Sequence, residues 1–166
     1  MKSNRHTPPK LSVIVHDVRS ILNVGAIFRT ADAAGVGMIW LTGYTPGPDT
    51  HPDKLAKTAL GAQSCVSWGR VRRVGDLLRK LKRNGMTIIA LEQTKKSIDY
   101  RAFNPPPAGG PMALIVGNEV KGIGIKAMSH NLIDAWIEIP MRGEKESLNV
   151  AVALGIALYE LTRRWN

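Results

Sequence analysis

The strongest constraint on the fold is a set of short apolar runs that do not alternate with polar residues. They are Leu11-Ser12-Val13-Ile14-Val15-His16, Met38-Ile39-Trp40-Leu41, Thr87 to Leu91 around Ile88-Ile89, Ala113-Leu114-Ile115-Val116, and Ala135 to Ile139. A strand with one wet face alternates, whereas a strand buried on both faces reads as a continuous apolar run. Helical periodicity lies between the runs. Val24, Ile27, Phe28, Ala31 and Ala34 recur at helical spacing, with Asn23 as the expected N-cap and Gly35 as the stop. Alternating strands and helices of this kind imply an α/β fold, a parallel sheet with helices on both faces.

The remaining expected elements follow the same signals. Short helices are expected over Asp53–Leu60 and Asp76–Asn84, stopped by Gly61 and Gly85, with a weak strand at Val66-Ser67-Trp68. Residues 43–52 and Lys95–Gly110 are rich in turn formers and read as loops. A short helix from Ile123 to Asn131 precedes the last strand, and a long one runs from Leu148 to Arg164 with Ser147 as its natural N-cap. The long helix is apolar on nearly every face, so a single small domain has difficulty covering it, and a homodimer is expected there. Residues 1–10 form a basic N-terminal arm, and residues 11–166 form one domain.

Charge narrows the partners. Lys and Arg total 23 against 13 Asp and Glu, a formal net charge of +10, which favours a polyanion, either nucleic acid or an anionic membrane. The apolar stretch Leu148–Leu161 is shorter than a membrane span and is interrupted by Asn149 and Gly155. Cys65 is the lone cysteine, which suits a reducing cytoplasm, and the four histidines are too scattered for a metal site. The dinucleotide fingerprint, the Walker phosphate loop and the Gly-x-Ser-x-Gly elbow are absent.

Three polar sets stand out against this background. The first is Asn23-Val24-Gly25-Ala26-Ile27-Phe28-Arg29, whose Asn23 and Arg29 lie about two turns apart and are expected to share a helix face. The second, Gly117-Asn118-Glu119-Val120-Lys121-Gly122, follows a core strand at the sheet edge where ligands collect in open α/β folds. The third runs from Ile139-Pro140-Met141 through a loop to Ser147-Leu148-Asn149-Val150. Asn149 interrupts an apolar helix there, and a buried amide needs partners.

Together the three sets resemble the signature motifs of the SPOUT superfamily, in particular its SpoU/TrmH-like RNA 2′-O-ribose methyltransferases. The resemblance extends from about Leu11 to Leu161 and includes the phrase Lys57-Thr58-Ala59-Leu60-Gly61-Ala62. It implies a C-terminal trefoil knot, a homodimer with the site at the subunit interface, and S-adenosylmethionine as cofactor. The implied cofactor contacts are Leu91, Gly117, Ile139, Met141 and Leu148. The implied catalytic set is Arg29, Asn23, Glu119, Ser147 and Asn149. A guanidinium is rarely deprotonated, which favours Arg29 as a phosphate ligand and oxyanion stabiliser over Arg29 as a base. Glu119 could orient Arg29 or take the proton indirectly, while Asn23 and Asn149 hold the set rigid.

The implied substrate is RNA, tRNA ahead of rRNA, with phosphates met by Arg70, Arg72, Arg73, Arg79, Lys80, Lys82 and Arg83, by the arm residues Lys2, Arg5 and Lys10, and by Arg163 and Arg164. Trp40, Trp68 and Trp136 read as core residues. The rival expectation is a non-catalytic basic RNA-binding module, which would share the charge without needing Glu119, Ser147 and Asn149 together.

Overall fold

A computed structural model describes residues 10–106, 110–124 and 130–163. The described residues contain seven strands: β1 (Leu11–His16), β2 (Met38–Thr42), β3 (Trp68–Val71), β4 (Thr87–Leu91), β5 (Ile98–Asp99), β6 (Met112–Val116) and β7 (Ala135–Glu138). They form one sheet in the order β3-β2-β1-β6-β4-β7-β5, and every paired neighbour is parallel. The helices are α1 (Ile21–Ala33), α2 (Pro52–Ala59), α3 (Ala62–Cys65), α4 (Val74–Arg83) and α5 (Val150–Thr162).

The unbroken apolar runs have the expected cause. On β1, Val13 and Val15 join the core beneath α1, α2 and α5, while Ile14 joins a second core with Leu77, Leu78 and Leu81 of α4. On β6, Leu114 and Val116 face the first core, and Ala113 and Ile115 face the second. Both surfaces of the central strands are therefore dry. Trp40, Trp68 and Trp136 are half-buried and packed against these cores.

Several boundaries differ from expectation. α1 is capped by Ser20, whose hydroxyl accepts from Asn23 N, so Asn23 sits inside the first turn. α2 ends through Leu60 and Gly61, both left-handed, and α3 follows directly; of the weak strand expected at Val66-Ser67-Trp68 only Trp68 is in a strand, as the first residue of β3. The expected loop 95–110 contains β5, which needs only two pairs with β7 to register as a strand. α5 begins at Val150 with Asn149 rather than Ser147 as its cap. Asn149 is exposed, so it is not the buried amide that the apolar helix suggested. Residues 1–9, which hold most of the basic arm, most of the expected helix Ile123–Asn131, and Arg164 lie outside the described residues. No helix among the described residues is long and apolar enough to cross a membrane.

Gly25 accounts for the joint presence of two motif phrases. A Cβ there would run into the Thr58 side chain and the backbone N of Ala59. α1 and α2 can approach this closely only because Gly25 has no side chain. The Asn23-x-Gly25 and Lys57-Thr58-Ala59 segments are thus two sides of one helix contact.

Candidate functional site

All the strands run parallel, so their carboxyl ends share one edge, and the loops leaving that edge carry the polar motifs. At the ends of β4, β6 and β7 these loops enclose a cleft of about 320 Å³. Leu91, Gly117, Ile139, Met141 and Leu148 all line it, so the five residues implied as cofactor contacts converge on one cavity. Glu119 and Ser147 line it too. Its charged residues are Glu92, Glu119 and Glu138 against Lys121, an acidic pocket in a strongly basic chain.

The loop after β6 is built by close backbone approach. Asn118 and Gly122 exchange backbone hydrogen bonds, each N–H donating to the other's carbonyl at 2.9 Å. A Cβ on Gly117 would collide with the backbone of Gly122 and Ile123. Gly122 has φ +67°, and a Cβ on it would strike the Glu92 carboxylate, which itself accepts from Ile123 N at 3.1 Å. The glycines of this motif are therefore spatial requirements. Asn118 is buried, and its Oδ1 accepts from the N–H groups of Val120 (2.9 Å) and Lys121 (2.8 Å). Glu92 and Asn118 were not among the sequence candidates. The signal for Asn118 was present in the sequence, because an Asn before a Gly-closed turn commonly bonds to the backbone two or three residues on. Glu92 had no such signal beyond its place after a strand.

A chain of hydrogen bonds links the three motifs at the cleft mouth. Asn23 Nδ2 donates to Glu119 Oε1 at 2.9 Å, and Asn149 Nδ2 donates to Asn23 Oδ1 at 2.9 Å. Asn149 Oδ1 in turn accepts from Ala151 N at 2.9 Å, capping α5. Glu119 also accepts from the backbone N–H groups of Arg19 (3.3 Å) and Ser20 (3.4 Å) at the start of α1. Partial burial pushes the Glu119 carboxyl up, but the Asn23 amide and the backbone donors outweigh it and hold the group below its ordinary value. An anion at a helix N-terminus is favoured for the same reason. Glu119 is therefore a fixed carboxylate with its lone pairs turned toward donors.

Arg29 stands apart. It lies on α1 in a separate surface hollow with Ala26, Thr30, Ala33 and Tyr159. The expectation that Asn23 and Arg29 share a face fails because six residues at 100° each leave them about 120° apart around the helix. In the single chain, α1 presents Asn23 to the cleft and Arg29 to the flank of α5.

The basic cluster also divides. Arg70 is held by Asp49 through Nε and Nη2 and by the Thr45 carbonyl at 2.8 Å, so it clamps loop 43–52 onto β3. Arg79 pairs with Asp76, Lys82 with Asp134, and Lys80 lies over Trp40. α4 leads back from the carboxyl edge, so Lys82 and Arg83 sit near the opposite edge, where β4 begins. Arg72 and Arg73 remain at the carboxyl edge, exposed and without an acidic partner within ion-pair distance among the described residues.

Comparison with known proteins supplies the family. Residues 10–159 match the model of the SpoU rRNA Methylase family. The chain is 35% identical over 156 residues to the tRNA (guanosine(18)-2′-O)-methyltransferase of Escherichia coli K12, covering 94% of this chain and 64% of that protein. It is 34% identical over 157 residues to a 23S rRNA (guanosine-2′-O-)-methyltransferase of Ralstonia nicotianae, covering 94% and 59%. The chain thus spans somewhat under two thirds of the length of these relatives. The crystal structure of an AdoMet-bound rRNA methyltransferase from Sinorhizobium meliloti superposes with a TM-score of 0.83 at 31% identity, covering 94% of this chain and 57% of that one. Sequence motifs, sheet and family match coincide over the same residues, and the chain belongs to the SpoU rRNA methylase family.

Proposed function

We propose that the protein transfers a methyl group from S-adenosylmethionine to a ribose 2′-hydroxyl of RNA, with tRNA favoured over rRNA. The observation that carries this is the Glu119–Asn23–Asn149 hydrogen-bond chain at the mouth of a cleft lined by all five implied cofactor contacts. Two relatives named above act on guanosine 2′-oxygens, one in tRNA and one in rRNA.

The cleft fits the cofactor on chemical grounds. Leu91, Val116, Ile139, Met141 and Leu148 offer an apolar slot for adenine. Glu92, Glu119 and Glu138 suit a cationic sulfonium. When bound, S-adenosylmethionine supplies a strongly electrophilic methyl group. The chain's own task is to bring a poor nucleophile into line and ease its loss of a proton. Glu119 is fixed by three donors and serves as an anchor that orients the hydroxyl through Asn23 or a bridging water. Ser147, on the cleft wall, is the second polar group within reach of the ribose. Arg29 stabilises the developing oxyanion or its phosphate when a second copy of the chain completes the site.

The homodimer is supported by α5. Val152, Ile156 and Tyr159 follow one another along α5 at spacings of four and three residues, and each is 37–57% exposed. This apolar stripe runs beside the hollow that holds Arg29. A second copy covering it would put Arg29 at the subunit interface. Val152→Asp with Ile156→Lys is expected to give a monomer by sedimentation velocity and to abolish methyl transfer. An active monomer would remove the dimer from the proposal. The trefoil knot belongs to the same proposal and is supported by the sheet order, in which β6 returns between β1 and β4 and β7 then passes outside β4. So does a cytoplasmic location, which the exposed, unpaired Cys65 suits.

The deciding experiment is mass-spectrometric nucleoside analysis of tRNA and rRNA from cells with and without the gene. One 2′-O-methylated nucleoside should disappear with the gene. Unchanged nucleosides together with no calorimetric binding of S-adenosylmethionine would leave the non-catalytic RNA-binding module as the better account.

A further inference from the structure

A rigidly held aromatic ring lies open to solvent beside the cleft. Tyr44, just after β2, is 52% exposed, yet it is tied at two points. Its hydroxyl accepts from Asn118 Nδ2 at 3.1 Å, and its backbone N–H donates to Asp17 Oδ1 at 3.1 Å. The tether is elaborate. Asp17 holds a left-handed backbone, φ +54°, which disfavours any residue with a Cβ. Gly43 has φ +64°, and a Cβ on it would strike the Asp17 carboxylate. Asn118 is buried and donates to both the Asp17 carbonyl, at 3.0 Å, and the Tyr44 hydroxyl. An exposed tyrosine with no task beyond solubility would not require this scaffold.

The ring is also coupled to the site. The Arg19 guanidinium lies 5.6 Å from its centroid, while the Arg19 backbone N–H donates to Glu119 Oε2. Asn118, which anchors the hydroxyl, is the residue before Glu119. Along the carboxyl edge, Gly43 N donates to the carbonyl of Arg72, so the exposed Arg72 and Arg73 continue the row on the far side. From β3 to β6 the row crosses three strand spacings, roughly 14 Å.

We propose that Tyr44 and Arg19 form the stacking platform for a nucleobase beside the ribose that enters the cleft. The proposal rests on the methyltransferase function above and adds a substrate subsite to it. A ribose presented to a cleft must come from an unpaired, splayed strand, whose bases lose their neighbours and are re-stacked on aromatic rings or guanidinium planes. A preorganised ring with a guanidinium over it extends such a stack, and the flanking arginines suit the phosphates that run alongside.

The test uses the full chain and a fluorescein-labelled single-stranded RNA 12-mer in anisotropy titrations. It is paired with methyl transfer to bulk RNA from cells lacking the gene. Tyr44→Ala and Tyr44→Leu should weaken RNA binding at least about tenfold and raise KM by a similar factor, with kcat far less affected. Tyr44→Phe keeps the ring and should recover most of the lost affinity. Calorimetric affinity for S-adenosylmethionine and the melting temperature serve as checks on folding. The proposal is overturned if Tyr44→Leu binds RNA like the wild type, or if Tyr44→Phe is as weak as Tyr44→Ala. If the wild type transfers no methyl group but RNA affinity still follows the ring, the methyltransferase function fails and the platform stands. If the wild type is active and KM ignores Tyr44, only the platform fails.

Discussion

The carboxyl edge of the sheet has two unlike halves. Beyond β4, β6 and β7 lies an acidic cleft, with Glu92, Glu119 and Glu138 on its walls. Beyond β3, β2 and β1 lies an open shelf with Arg72, Arg73, Arg19 and the Tyr44 ring. The two meet at Glu119, bonded to the cleft motifs through Asn23 and to the shelf through Arg19 N. A cationic small molecule and a polyanion can therefore bind side by side without competing for the same charges. The net charge of +10 is a sum over the whole chain and conceals the acidity of the cleft.

The difference can be attacked from each side. The largest effect is expected at the junction. Glu119→Ala removes the acceptor for three donors and should lower the methyl-transfer rate by roughly 10²-fold or more, with RNA affinity changed far less. Glu119→Gln should not rescue it, because its amide NH₂ would face an N–H donor. A near-normal rate in a single-turnover assay of either variant would show that the junction does not matter. A smaller effect is expected at Gly117. Gly117→Ala forces a methyl against the Gly122–Ile123 backbone and should cost about 1–3 kcal/mol of stability, seen as a lower thermal midpoint, together with weaker cofactor binding.

On the shelf, Arg72→Ala and Arg73→Ala should weaken RNA binding. Each should also reduce the salt dependence by about one unit of log–log slope, the signature of one fewer phosphate neutralised, with S-adenosylmethionine affinity untouched. An equal weakening from Arg83→Ala, near the opposite edge, would erase the distinction.

The smallest effect is the response to acid, where the halves titrate in separate windows. On the shelf side, His16 is lowered from 6.5 mainly by burial, against the opposing pull of Asp17. The folded imidazole then binds fewer protons than the unfolded one, so its contribution is complete above pH 6.5 and declines as pH falls toward the folded value. Glu119 is also lowered, from 4.5, so its contribution is present above that value and is lost as pH falls through the folded one. Thermal midpoints measured from pH 8 to pH 3.5 should fall in two stages. His16→Asn should flatten the upper stage and Glu119→Gln the lower. A His16→Asn profile parallel to the wild type would remove the upper assignment.

Local signals are readable wherever the chain's own neighbours create them. The parallel sheet follows from β1 and β6, because dryness on both faces leaves no polar alternation. The motif at Gly117 and Gly122 is legible because backbone inside the turn leaves no room for a Cβ on Gly117 and the turn holds Gly122 at a positive φ. Caps are less legible. Ser20 and Asn23 are both good caps, and which one starts α1 depends on Glu119, almost a hundred residues away, drawing the Asn23 amide outward. Asn149 misleads for a related reason: a cap at the end of an apolar segment looks in sequence like a polar flaw within it.

By itself, then, the sequence determined the α/β class and the motif segments, and its resemblance to the family implied five of the residues that line the cleft. Periodicity and turn chemistry act over a few residues and survive without a fold. The tertiary structure alone decided which charges are free, which face Arg29 takes, and that Tyr44 stands beside Glu119. Those outcomes depend on Asp49 meeting Arg70, on 100° of rotation per helical residue, and on β1, β2 and β6 ending at one edge. Such long-range contacts leave no periodic trace in the chain.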